Sequence, residues 1–281
     1  MTPPFGPILF SIGNVISVHW YGVLIVTGII LGANVAAYLA KKAGKDPEAI
    51  WDMLMIVVIL AIIGARLYHV FSQPSDGLLG WNYYKEHPVE ALYIWNGGLG
   101  VYGAIVGGAL GVILFTWRRK LRPLQWLDFA APGMAVGQSI GRWGNFVNIE
   151  LYGPPTTLPW GLRVPVLNRI APYTDLIKYP ESTLFHPTFL YESLAALALC
   201  LLLMWIAVRY GHKLLEGDLL VGYLMGYAVI RFFTEMLRPD AWMVGSIAAA
   251  QLFAIILFIA GAAYLLVRHL WLPRKAQPKA A

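Results

Sequence analysis

Apolar residues recur along this chain in seven long stretches, at approximately 19–40, 51–71, 99–117, 125–147, 187–208, 217–237 and 243–267. About 20 helical residues cross the roughly 30 Å hydrocarbon core of a bilayer. The pattern therefore predicts an all-α polytopic membrane protein with seven transmembrane helices. The fourth stretch is the least hydrophobic and contains Gly133, Gly137, Gly141 and Gly144. Glycines at this spacing let helix backbones approach closely in lipid, which puts this helix at the centre of the bundle. Gly103, Gly107 and Gly111 repeat the device in the third stretch.

Composition agrees. Of the residues, 58% are hydrophobic and 13% charged, whereas a soluble domain carries roughly a quarter charged. The distribution of basic residues gives a direction, because cytoplasmic loops retain lysine and arginine. Lys41, Lys42 and Lys45 follow the first stretch, and Arg118, Arg119, Lys120 and Arg122 follow the third. Arg209 and Lys213 follow the fifth, and Arg268, Arg274, Lys275 and Lys279 follow the seventh. The opposite loops, 72–98 and 148–186, hold only Lys85, Arg163, Arg169 and Lys178. The N-terminus is thus expected outside the cytoplasm, with residues 273–281 as a disordered cytoplasmic tail behind a single domain over 1–272. The loop 148–186 is too long and too rich in proline, glycine and aromatics for a bare connector. It reads as a small extracytoplasmic cap. The net charge of +6 is a topology signal suited to anionic headgroups, and no nucleic-acid partner is expected. The single cysteine, Cys200, lies in an apolar stretch. It can form no internal disulfide, and no Cys/His spacing suggests a metal. The N-terminus lacks the basic region of a cleavable signal peptide.

Arg66, Arg142 and Arg231 fall inside the apolar stretches, and Arg238 falls at the end of one. A central arginine costs about 2.5–3.5 kcal/mol to insert, so three together approach the whole stability of an ordinary protein, about 5–15 kcal/mol. Snorkelling to the interface accounts for Arg66 and Arg238. In the sixth stretch Tyr227, Arg231, Glu235 and Arg238 form one narrow helical stripe. Two arginines against one carboxylate leave positive charge over, for which a bound anion is the natural complement. In the fourth stretch Gln138, Arg142 and Asn145 share a face, with Asn148, Glu150 and Gly153 just beyond. Amides and a guanidinium are the donors that hold a phosphate or glycerol headgroup. The fifth stretch opens with His186, Tyr191 and Glu192, and the first with His19 to Gly22, which includes Tyr21.

Gly141-Arg-Trp-Gly-Asn-Phe-Val-Asn-Ile-Glu-Leu-Tyr-Gly153 resembles the signature of the prolipoprotein diacylglyceryl transferases at every fixed position. The resemblance continues through His19-Trp-Tyr-Gly22, Gly64-Ala-Arg66, Trp95-Asn-Gly-Gly98, His186-Pro-x-x-x-Tyr-Glu192 and Arg231-x-x-x-Glu-x-x-Arg238-x-Asp240, so it covers essentially the whole chain. It implies a seven-span bacterial inner-membrane enzyme that moves the diacylglyceryl group of phosphatidylglycerol onto the lipobox cysteine of a prolipoprotein signal peptide, with glycerol 1-phosphate as the second product. It implies that Arg142 and Arg231 are essential, with supporting roles for Tyr21, Asn145, Glu150, Gly153, Tyr227 and Glu235. Arg66, Gln138, Asn148, His186, Tyr191, Glu192 and Arg238 complete the candidate substrate-binding set. Many members carry a histidine after the Trp-x-Gly-Gly turn, long favoured as general base. Tyr102 stands there in this chain.

The chemistry requires a thiolate to attack the glycerol carbon bearing the phosphate, and the leaving group gains negative charge. Arginine stays protonated and can fork onto two phosphate oxygens, so it stabilises the leaving group and cannot be the base. The base remains open between Tyr102, Glu150, His186 and none. No cofactor or metal is implied. The rival reading is a lipid-headgroup or anion transporter that uses the same arginines.

Overall fold

A computed structural model describes residues 1–13, 16–72 and 80–271. Residues 73–79 of the first expected outer loop and the expected 273–281 tail lie outside the described residues. The helices are α1 (Trp20–Lys42), α2 (Glu48–Phe71), the single turn α3 (Trp81–Tyr84), α4 (Val101–Arg118), α5 (Pro123–Asn148), α6 (Thr188–Tyr210), α7 (Asp218–Glu235) and α8 (Ala249–Leu266). All except α3 have 18 residues or more, and each long helix falls on one apolar stretch of the sequence. Five of them (α1, α2, α4, α6 and α8) are long and apolar enough to cross a membrane. The two long helices outside that set, α5 and α7, are those that carry Arg142 and Arg231.

The chain is mostly helical, with short β elements that its periodicity did not announce. They are β1 (Ile8–Ile12), β2 (Ile16–His19), β3 (Pro155–Thr156), β4 (Leu162–Arg163), β5 (Leu184–Phe185), β6 (Met243–Val244) and β7 (Ile247–Ala248). Strands β1 and β2 form one antiparallel hairpin and β6 and β7 another. The second hairpin turns at Gly245, whose φ of +66° suits glycine. It also delays the last helix, which begins at Ala249 where the apolar run alone suggested 243.

Two units make up the fold, residues 1–39 with the chain from 127 onward, and residues 40–126. In the first unit α5 is central, as its glycines led one to expect. A Cβ on Gly28 would stand 3.0 Å from the Gly137 carbonyl oxygen, and one on Gly32 would stand 2.6 Å from that of Gly133. Backbone therefore meets backbone along an antiparallel α1–α5 contact. Further along the row, Gly144 leaves the space that the Tyr21 ring fills. On another side α5 meets α6 through Ser139 Oγ and Ser193 Oγ, 3.1 Å apart, and through Trp143 Nε1, which donates to Ser193 Oγ at 3.1 Å. Near its start, the Asp128 carboxylate accepts the backbone N–H groups of Gly217 (2.6 Å) and Leu220 (2.9 Å), capping α7 from a neighbouring helix.

Residues 148–186 of the same unit are folded, with strand order β3-β5-β4. Tyr152, Leu162, Val164, Tyr173 and Phe185 form a small buried core. Arg169 is buried beside it and donates to the carbonyls of Val164, Tyr179, Pro180 and Glu181. Burial raises the Tyr152 and Tyr173 phenols above their ordinary values.

In the second unit α2 and α4 pack antiparallel through a second glycine row. Gly103 fits only against the Gly64 carbonyl, Gly107 against that of Leu60, and Gly111 against the Val57 backbone. The adjoining face of α4 exposes Tyr102, Val106, Leu110, Ile113 and Trp117.

Candidate functional site

The signature occupies the last two turns of α5 and the chain reversal after it. Asn148 ends the helix, and Ile149 and Leu151 both take positive φ (54° and 56°), so the chain turns back within three residues. Glu150 fixes this reversal. Its Oε1 accepts Asn145 Nδ2 at 2.8 Å and Asn148 Nδ2 at 3.2 Å, and its N–H donates to the Asn145 carbonyl. Two amides and a carboxylate thus bond to one another. Gly153 closes the motif where three segments converge. A Cβ there would lie 2.9 Å from His186 Cβ and 3.1 Å from both the Leu237 carbonyl and Thr188 Oγ1.

Arg142 projects from α5, two turns before this reversal, toward α6, where its Nε lies 2.5 Å from Glu192 Oε2. Arg231 on α7 lies 2.5 Å from Glu235 Oε2, one helical turn on. That contact is an ion pair without hydrogen-bond alignment, since Glu235 Oε2 has no aligned donor. Arg238 takes Asp240 instead of Glu235, donating from Nε at 3.2 Å and NH2 at 2.9 Å. That fork holds the Asp240 carboxyl below the usual carboxylate range, and the Arg231 charge adds to it. Arg238 is pushed up by the same hydrogen bonding and by the charges of Glu235 and Glu192. The three arginines and three carboxylates therefore share one electrostatic neighbourhood, built from α5, α6, α7 and the residues just after α7.

This pairing corrects the charge surplus expected from the sequence. Each arginine of the cluster has its own carboxylate, because Glu192 and Asp240 supply what a count over α7 alone omitted. The pairing nonetheless leaves guanidinium donors over. A guanidinium has five N–H donors, and Arg142 meets its carboxylate through Nε while Arg231 meets its own through one terminal nitrogen. The carboxylates aim the arginines as well as balancing them. Four residues toward the start of α5, on the face of Arg142, the buried Gln138 Oε1 has no hydrogen-bond partner among the described residues. Tyr227 stacks on Tyr223 along α7, with ring centroids 6.4 Å apart. His186 Nδ1 lies 3.0 Å from Tyr191 Oη, which also accepts Trp160 Nε1 at 3.3 Å.

Arg66 and Tyr102 belong to the second unit. Arg66 is buried and faces inward, so snorkelling does not describe it. Its Nε donates to the Ala91 carbonyl (2.7 Å), NH1 to those of Gly97 (2.8 Å) and Gly98 (3.1 Å), and NH2 to that of Glu90 (2.7 Å). Its donors are turned to the chain itself, and they clamp the segment that leads into α4. Gly97 and Gly98 in that segment have φ of +86° and +73°, which explains the paired glycines. Tyr102, in the first turn of α4, is 67% exposed and tilts against Tyr68 at 5.6 Å between ring centroids. The sequence reading missed Ser139, Ser193 and Trp143 as the joint between α5 and α6. The i,i+4 spacing of Ser139 and Trp143 on α5 was the available signal.

The family model described as prolipoprotein diacylglyceryl transferase matches residues 7–267. The phosphatidylglycerol–prolipoprotein diacylglyceryl transferase of Synechococcus elongatus is 43% identical over 254 residues, covering 89% of this chain and 83% of that protein. Its namesake from Chloroflexus aggregans is 38% identical over 95% of this chain and 91% of that protein. The Nostoc protein of that name is 39% identical over 95% and 92%. With its signature intact and the match running from β1 to the end of α8, the chain belongs to the prolipoprotein diacylglyceryl transferase family.

Proposed function

We propose that this protein transfers the diacylglyceryl group of phosphatidylglycerol to the thiol of the lipobox cysteine in a prolipoprotein signal peptide, the first step of lipoprotein maturation in a bacterial inner membrane. The observation that carries the reading is the signature arginine, Arg142, aimed by buried Glu192 in a cluster with Arg231 and Arg238. The thiolate sulfur bonds to the glycerol carbon that bears the phosphate, the carbon–oxygen bond breaks, and glycerol 1-phosphate leaves with the bonding pair. Arg142 and Arg231 bind the phosphate and stabilise the charge that develops on it, where a preorganised donor acts most strongly. Their field also favours the thiolate over the thiol, whose ordinary pKa is about 8.5. Asn145, Asn148, Glu150 and Gly153 keep the turn that carries Arg142. Gln138, Tyr21, Tyr227, His186 and Tyr191 serve substrate contact, Arg238 offers the donors that its fork onto Asp240 leaves over, and Glu235 positions Arg231. Tyr102 contacts substrate from the start of α4, and Arg66 acts through the turn it holds.

In this reading all seven long helices cross the bilayer and both units work as one domain over 1–272. The N-terminus and the 148–186 cap lie outside, and the C-terminus lies in the cytoplasm. Helices α5 and α7 are too polar to insert alone, and their neighbours in the bundle cover the polar face. The test is a reconstituted assay with glyceryl-labelled phosphatidylglycerol and a lipobox peptide. Label should enter a thioether only when the peptide contains cysteine. Arg142→Lys and Arg231→Lys should recover little, because a point charge cannot reproduce a bidentate fork. Headgroup flux across the membrane without thioether product would favour a transporter and sink the proposal.

A further inference from the structure

The far end of α4 is built in a way that its role as a membrane helix does not require. Arg118 is its last residue, and the chain leaves through a Schellman turn. Leu121 N–H bonds the Thr116 carbonyl at 2.8 Å and Lys120 N–H bonds that of Trp117 at 3.2 Å. That motif puts one residue in the left-handed region, where glycine is the usual occupant. Here it is Lys120, with φ of +54°. A side chain held in a disfavoured backbone conformation calls for a reason in what it does there.

Its surroundings supply one. Thr116, Trp117, Arg118, Lys120 and Leu121 line an open cleft of about 680 Å³. Arg119 is tied to Asp52 at 2.7 Å and to the Phe115 ring. Arg118 and Lys120 are exposed and have no carboxylate partner among the described residues. Trp117 is 74% exposed, in the position of an interfacial anchor at the end of a span. Val106, Leu110, Ile113 and Trp117, at spacings of four, three and four, form a continuous exposed apolar stripe that runs into the cleft. Two free cations at a span end, above an exposed apolar stripe, match a molecule with an anionic head and acyl chains.

We propose that the end of α4 is a binding site for the headgroup phosphate of an anionic glycerophospholipid. Arg118 and Lys120 hold the phosphate, Trp117 packs beside the glycerol, and an acyl chain lies along the α4 stripe. The site requires only that α4 spans the bilayer, for which it is long and apolar enough. Arg118 lies 16 residues along α4 from Tyr102, about 24 Å at roughly 1.5 Å per residue, so the site's occupant is not the molecule consumed by the reaction.

Full-length protein in phosphatidylcholine nanodiscs, titrated with headgroup-labelled phosphatidylserine, tests this. Phosphatidylserine is anionic but is not the lipid assigned to the reaction. Lys120→Gly should weaken binding about fivefold, the usual contribution of one basic residue at a membrane surface. The same substitution relieves the left-handed backbone and should raise Tm, an opposite sign that a purely structural lysine would not give. Lys120→Arg should retain binding, and transfer activity should be unchanged in both variants. Equal affinity of the parent and Lys120→Gly overturns the proposal. So does binding of phosphatidylglycerol but not phosphatidylserine, which would mean a substrate site. Competition by glycerol phosphate as effective as that by lipid also overturns it, since the stripe would then contribute nothing.

Discussion

Replacing Glu192 by glutamine separates an arginine that works alone from one that works only as half of a pair. Glu192 is buried on α6, with Oε2 2.5 Å from Arg142 Nε. Glutamine keeps the shape and an acceptor and removes the charge. With charge centres about 4 Å apart and an effective dielectric of about 20, the Coulomb attraction is about 4 kcal/mol. Losing it is partly offset, because the neutral amide carries no ionic desolvation cost; a net loss of about 2–3 kcal/mol remains. If that energy holds the guanidinium where charge develops in the transition state, kcat/KM falls on the order of 30- to 150-fold. Glu192→Asp keeps the charge at shorter reach and should fall between the two. The assay is thioether formation at several phosphatidylglycerol concentrations, with Tm measured alongside. Should Glu192→Gln stay within threefold of the parent while Arg142→Ala is inactive, Arg142 needs no carboxylate to aim it and the reasoning fails.

Arg66→Lys should lose activity at least tenfold with a lower Tm, since one ammonium cannot reach the carbonyls of Ala91, Glu90, Gly97 and Gly98 together; turnover and melting curves check it. Tyr102→Phe should lose about tenfold or less and Tyr102→His should stay active, whereas a general base would be worth about 10²–10⁴-fold; turnover across pH decides, and a thousandfold collapse of Tyr102→Phe rescued at high pH would make Tyr102 the base. Cys200→Ala should keep its activity because Cys200 is buried and the reacting thiol belongs to the substrate; a lipid adduct on Cys200 during turnover would contradict this. In a Cys200→Ala background, Ile177→Cys, at a site 96% exposed in the cap, should react with an impermeant thiol reagent from outside intact cells. Lys120→Cys should not, and equal labelling would refute the N-outside topology.

The long helices were legible because a helix long and apolar enough to cross a membrane leaves a continuous mark on a sequence. Even α5 and α7 could be found, although Arg142 and Arg231 dilute that mark. Partnership was much less legible. Glu192 stands 50 residues from Arg142, and nothing in the primary pattern says that α6 lies against that face of α5. A count confined to the Tyr227–Arg238 stripe therefore misjudged the charge balance. The carbonyls that hold Arg66 were invisible for another reason: every residue has one, so the choice of four leaves no trace in side-chain identity. The two-residue strands of the cap are too short for alternation to register, and only the length and composition of 148–186 hinted at a fold there.

The two glycine rows have a mechanical consequence. Where α5 rests on α1, and α4 on α2, backbone is seated on backbone with no side chain between them to change rotamer. Each row is toothed every four residues, about 6 Å, so a helix cannot creep along its mate by a fraction of that step without driving atoms into one another. The α6–α7–α8 side of the first unit is made differently. There Gly226 is filled by the Leu199 side chain and Gly261 by Met225, side chains that can swivel. The helix bearing Arg142 thus rides on a rail, while the α6–α7–α8 wall, which carries Glu192, is cushioned. Displacing that wall costs side-chain rotations, whereas displacing Arg142 along α1 drives backbone into backbone.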